Sequence, residues 1–103
     1  MFHISFYVPV NDADNVKNAM FQAGAGKIGN YDNCSFEIKG MGQFRPLTGS
    51  DPTIGSQGVL EQVEELKVDM VCDDQYIKEV VAALKKSHPY ETPAYYVIKV
   101  VDY

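Results

Sequence analysis

The sequence predicts an α+β fold, a ferredoxin-like βαββαβ sandwich with both helices on one face of an antiparallel sheet. Three observations predict it. Phe2, Ile4, Phe6 and Val8 alternate with polar or amphipathic residues, and so do Leu66, Val68, Met70 and Cys72, the period of a strand with one apolar face. Each of these runs leads into a stripe at i, i+3, i+4 and i+7: Val16, Ala19, Met20 and Ala23, then Ile77, Val80, Val81 and Leu84, the spacing of an amphipathic helix. A further strand-like segment follows each helix.

Pro9 stops the first strand. Asn11 or Asp12 can cap the first helix, and Asp14 in its first turn suits the positive end of the helix dipole. Gly24 or Gly26 ends it as a C′ glycine does. Three of the eight glycines fall within Gly24–Gly29. This run is not a phosphate loop, because phosphate loops open a helix whereas this one follows a helix and leads into a strand.

The second strand is expected from about Tyr31 to Lys39, with Cys34, Phe36 and Ile38 on one face. Gly40, Gly42 and Pro46 should break or bend it, leaving Gln43-Phe44-Arg45 as a kinked extension. Leu47–Gly58 is polar and rich in glycine: a loop of the length that usually serves a function or moves. The third strand covers Leu66–Cys72 and can reach back to Leu60. Asp73 is placed to cap the second helix, whose C-terminus Lys85 and Lys86 favour. Pro89 disfavours helical geometry in the residue before it, so the helix closes at Ser87 or His88. Tyr95–Tyr103 is the fourth strand. Its run Tyr95-Tyr96-Val97-Ile98-Lys99-Val100-Val101 is apolar on both faces, yet only one face can meet the helices. Another copy of the protein is the expected cover.

With 103 residues the chain has room for one domain, residues 1–103. Nine basic against fourteen acidic side chains give a net charge of −5, which disfavours nucleic acid as a partner. No apolar run is long enough to span a bilayer. Met1-Phe2-His3-Ile4 lacks the features of a signal peptide, and two cysteines make no disulfide framework, so the expected compartment is the cytoplasm.

Four motifs then occur in order: Gly24-Ala25-Gly26-Lys27-Ile28-Gly29-Asn30-Tyr31 with Cys34-Ser35-Phe36; Gly42-Gln43-Phe44-Arg45-Pro46; Pro52-Thr53-Ile54-Gly55; and His88-Pro89-Tyr90-Glu91-Thr92-Pro93-Ala94-Tyr95. Together they resemble the YqfO family, the domain found inserted in the larger Nif-three-like dimetal proteins and also as a free-standing protein. The last motif alone is similar to the CutA divalent-cation-tolerance proteins. The resemblance implies a CutA- or PII-like fold and assembly as a homo-oligomer, a trimer in those relatives. It does not imply an enzyme by itself, because the metals of the larger relatives are held by flanking halves outside the matched region. A hydrolase-related accessory role and a purely structural adaptor remain as rival readings.

Two sets of side chains are candidates for a site. His88 and Glu91 could share a divalent cation, with Cys34 as a soft third ligand. The plainer alternative has His88 capping carbonyls of the second helix while Pro89 and Pro93 set the turn into the last strand. Gly24, Gly26, Tyr31, Phe44, Tyr90 and Tyr95 could surround a small ligand, with Arg45 to fix a carboxylate or other anion. The same aromatic residues could instead form a subunit interface. Cys34 reads as a buried, inert thiol and Cys72 as core, and Glu61, Glu64 and Glu65 as a solvated acidic face. The expected function is that of a homo-oligomeric binding or regulatory module with a metal ion or small ligand between subunits, near Gly24–Tyr31 and His88–Glu91.

Overall fold

Strand β1 (Phe2–Pro9), helix α1 (Ala13–Ala23), strands β2 (Phe36–Phe44) and β3 (Glu61–Cys72), helix α2 (Ile77–Ser87) and strand β4 (Tyr95–Lys99) follow one another in the computed structural model, which describes residues 1–103. The strands form one sheet in the order β2-β3-β1-β4, and every neighbouring pair is antiparallel. This is the ferredoxin-like arrangement.

The alternation of β1 and β3 decides which face the helices cover. Ile4, Phe6 and Val8 stand opposite Met70, Val68 and Leu66, and all six join one core with Val16 and Met20 of α1 and Val80 and Leu84 of α2. Removing a side chain of this size from water contributes about 1.5–3 kcal/mol. The partners of opposite parity, His3 with Val71, Ser5 with Asp69 and Tyr7 with Lys67, lie on the face away from the helices. That face also carries Phe36 and Ile38 of β2 and Tyr96 and Ile98 of β4, by their registers. All four of these are more than half exposed.

Both helices are entered through a 3-10 turn, Val10–Asp12 before α1 and Asp74–Tyr76 before α2. The backbone therefore makes the first bonds itself, and neither Asp12 nor Asp73 forms the side-chain cap expected of it. Asp74 instead binds the Lys99 ammonium at 2.5 Å and the N-terminal ammonium, which hold its carboxyl down at about 2. Helix α2 stops at Ser87, and His88 ahead of Pro89 is extended, at φ −72° and ψ 137°.

Three strand limits differ from the sequence expectation. Strand β2 starts at Phe36 rather than Tyr31. Beyond the pairing of Phe36 with Asp69, the edge of β3 is taken by Gly26, whose N–H donates to Val71 O at 2.8 Å, and Cys34 N–H donates in turn to Gly26 O at 2.9 Å. Tyr31 belongs to a tight turn in which it and Ile28 exchange two backbone hydrogen bonds of 2.9 Å. Next, β2 runs unbroken through Gly40 and Gly42, paired with Glu65 and Val63, up to Phe44. Last, β4 ends at Lys99, which pairs with Phe2, and Val100 N–H bonds the Met1 carbonyl just beyond it. No helix is long and apolar enough to cross a membrane.

Candidate functional site

The β2–β3 connection is the longest in the chain, and it folds back rather than standing free. Gly58 N–H donates to Pro46 O at 2.7 Å and closes its base, and Ser50 N–H and Oγ both donate to Leu47 O. Two further bonds moor it to the segment after α2. Thr53 Oγ1 donates to Pro89 O at 2.7 Å, and Asp51 N–H donates to Glu91 Oε2 at 2.9 Å.

Between this loop, the end of β2 and the Tyr90–Ala94 segment lies a cleft of about 770 Å³, within the usual size range of small-molecule sites. Tyr7, Gly42 and Glu65 reach it from three strands, Phe44 and Arg45 from the end of β2, and Tyr90 and Glu91 from the turn. Phe44 and Tyr90 meet with ring centroids 6.1 Å apart. A smaller hollow adjoins it on the uncovered sheet face, sharing Tyr7, Gly42 and Glu65.

Beneath the turn, His88 is buried. Its Nδ1 accepts the Tyr90 N–H at 3.1 Å, so the ring proton is on Nε2, which donates to Tyr7 O at 2.7 Å. Burial lowers its pKa below the ordinary 6.5, while the Tyr7 carbonyl and the charges of Glu65 and Asp12 pull the other way. Tyr90 is shifted upward, first by burial and then by the neighbouring Glu65 carboxylate. Its hydroxyl is shut from solvent and lies against that carboxylate, short of a well-formed hydrogen bond.

The residues singled out from the sequence divide into two groups. Phe44, Arg45, Tyr90 and Glu91 line the cleft. Gly24, Gly26, Tyr31 and Cys34 do not, because Gly26 pairs with Val71, six residues or about 20 Å along β3 from Glu65. Tyr95 packs on the core instead. The trio His88, Glu91 and Cys34 is likewise dispersed: both imidazole nitrogens are engaged and Glu91 accepts from the loop. No three His, Cys, Asp or Glu side chains stand together as a ligand set. His88 does cap α2, through its backbone N–H, which donates to Leu84 O at 3.0 Å, while its side chain bonds β1. Cys34 is half-buried, with Sγ 3.6 Å from Asp32 O, not in the core. Cys72 is core, and burial, then Asp73, pushes its thiol up.

Tyr7, Glu65 and Gly42 were not among the candidate ligand contacts. The sequence holds one signal for Glu65: its parity in β3 is opposite to that of Leu66 and Val68, which puts it on the uncovered face. Gly42 matters through what it lacks. A Cβ there would overlap Glu65 Oε1, so the glycine lets the carboxylate lie across β2.

Comparison with known proteins agrees with this architecture. Over 95 residues the chain is 48% identical to the GTP cyclohydrolase 1 type 2 homolog of Halalkalibacterium halodurans, covering 92% of this chain and 26% of that protein. The protein of the same name from Mycobacterium tuberculosis is 43% identical over 95 residues, covering 92% and 25%. Among solved structures, the Bacillus cereus protein related to NIF3 superposes with a TM-score of 0.84 at 36% identity, over 98% of this chain and 26% of that one. The chain is homologous to a segment of the YqfO, or Nif-three-like, proteins. It spans about a quarter of the length of these YqfO relatives. CutA1 from Pyrococcus horikoshii shares the fold, with a TM-score of 0.71 at 17% identity over 100% of this chain and 86% of its own. No protein-family model matches the chain.

Proposed function

We propose that residues 1–103 form one YqfO-type domain that acts as a homo-oligomeric binding or regulatory module, with a small organic ligand in the cleft between the β2–β3 loop and the Tyr90–Ala94 turn. The observation that carries the reading is the cleft itself. A loop of this length held over a concave, aromatic-walled hollow by two hydrogen bonds is preorganised, which lowers the entropic cost of binding. What supports an organic ligand over a metal ion is the commitment of both His88 ring nitrogens to the fold.

Assembly is supported by Phe36, Ile38, Tyr96 and Ile98, apolar side chains exposed on the uncovered sheet face. The cleft continues into the hollow on that same face, so a second copy seated there would border the ligand. A trimer is the assembly that the CutA and PII resemblance implies. The test is a screen of small metabolites by NMR on the intact chain. Shifts confined to Phe44, Tyr90 and the Pro52–Ile54 loop are expected; shifts centred on Gly24–Tyr31 would place the site at the other end of the sheet.

A further inference from the structure

The charges around the cleft are unequal in kind. Glu65 is half-buried on the cleft floor and takes part in none of the chain's ion pairs. Glu91 stands on the wall, its Oε2 already accepting from Asp51 N–H. Arg45 is the one basic residue of the lining, and it is exposed. The Glu65 carboxylate is therefore open to a counter-ion brought by a ligand. Beside it the Tyr90 hydroxyl is buried against the same carboxylate, short of a well-formed hydrogen bond. Phe44 and Tyr90 supply aromatic faces, and Tyr7 a third ring.

We propose that the cleft takes a small organic cation, a primary ammonium with an apolar tail, with Glu65 as its counter-ion and the rings of Phe44, Tyr90 and Tyr7 around it. The proposal rests on the reading of the cleft as a ligand site and names what that site selects. An ammonium brings three donors and no acceptor. It pairs with the Glu65 carboxylate, and the aromatic faces of the lining attract the same charge. In the cleft proper an anion would meet Glu65 and Glu91 against the exposed Arg45 alone, with Lys39 and Lys67 standing in the adjoining hollow, and like charges brought together are rejected. Gly42 belongs to the device, because only a residue without Cβ leaves the Glu65 carboxylate its place across β2.

The test uses three probes on one skeleton: phenethylamine, phenylacetamide and phenylacetate, which at about pH 7 are cation, neutral and anion. Each is titrated into the intact protein while the resonances of Tyr7, Phe44 and Tyr90 are followed. Phenethylamine is expected to bind at least about tenfold more tightly than the amide, and phenylacetate more weakly than either. Glu65→Gln should bring the amine down to the level of the amide. Gly42→Ala, which leaves every charge in place but displaces the Glu65 carboxylate, should do the same. Equal or tighter cleft binding by the amide or phenylacetate overturns the cation assignment and leaves the cleft as a ligand site. A preference for the amine that survives both substitutions overturns the role of Glu65. No change at the cleft with any probe up to about 10 mM, weaker than any useful small-ligand affinity, overturns both readings.

Discussion

His88 Nε2 donates to the Tyr7 carbonyl across 2.7 Å, a bond between the turn after α2 and β1, 81 residues earlier in the chain. The bond fixes the neutral tautomer, because Nδ1 must stay unprotonated to accept the Tyr90 N–H. One imidazole thus holds both the sheet and the turn that carries Tyr90 and Glu91 into the cleft. It behaves as a fastener, and a proton on Nδ1 would undo half of it.

A stability profile follows from that geometry. Burial holds the pKa of folded His88 below the ordinary 6.5, so as pH falls the unfolded chain takes up its proton first. Stability from this residue is whole above about pH 6.5 and declines below it, toward the lower pKa of the folded state. Denaturant midpoints between about pH 7.5 and about pH 5.5 should fall for the parent and stay flatter for His88→Gln. Parallel profiles would show that another group is responsible.

The glycines after α1 serve the backbone. Gly24 has φ 123° and Gly26 φ 80°; a Cβ on the first would come within 2.7 Å of Tyr76 Cγ, and on the second within 2.7 Å of Phe21 Cε1. Alanine at either site should cost about 1–3 kcal/mol from conformation alone, with the steric contact in addition. Gly40 is the contrast, with ordinary φ and open space around its Cβ position. Gly40→Ala should leave the melting temperature level or raise it, by restricting the unfolded chain. Three equal melting curves would remove this account.

The fold was legible because β1, β3 and both helices carry their period locally, in side chains that pack directly on one another. What local pattern does not contain is where pairing ends. Phe36 and Ile38 keep the parity that the sequence shows, and local pattern extends the same strand to Tyr31 and Cys34, although Gly26 occupies that edge of β3. Gly42 reads locally as a strand breaker, while its effect is on Glu65 across the sheet. Half of the site was legible, since Phe44, Arg45, Tyr90 and Glu91 sit in compact motifs near loops. Tyr7 and Glu65 join them only through the register that sets Tyr7 opposite Lys67 and Pro9 opposite Glu65, and no spacing rule along one chain contains it.

The loop over the cleft should loosen at two identifiable bonds. Asp51 N–H, held by Glu91 Oε2, and Thr53 Oγ1, held by Pro89 O, are its ties to the turn. Both are exposed, so each contributes only about 0.5–1.5 kcal/mol, more where the carboxylate charge assists. Glu91→Ala should speed hydrogen exchange at the Asp51 amide, and Thr53→Val should add to it, while the core amides of β1 and β3 keep their protection. Unchanged exchange at Asp51 in both variants would mean that the loop is held by packing alone.

Assembly gives the remaining prediction, and the structure changes its form from what the sequence suggests. A doubly apolar last strand suggests that a charge at Ile98 either unfolds the protein or splits the oligomer. Ile98 pairs with His3 on the face away from the helices and is more than half exposed within one chain, so the fold does not need its side chain. Ile98→Asp should therefore leave the monomer folded and act on the assembly alone. In an interface a buried, unpaired carboxylate costs several kcal/mol, enough to shift association by more than about a thousandfold. Ile38→Asp, on the same face but two strands beyond β1, tests whether the contact spreads over the whole sheet. Sedimentation velocity at micromolar concentration should show the parent as an oligomer and Ile98→Asp as a monomer with an unchanged circular dichroism spectrum. A parent that sediments as a monomer, or a variant that keeps the parent's oligomer, would mean that this face is not where copies meet.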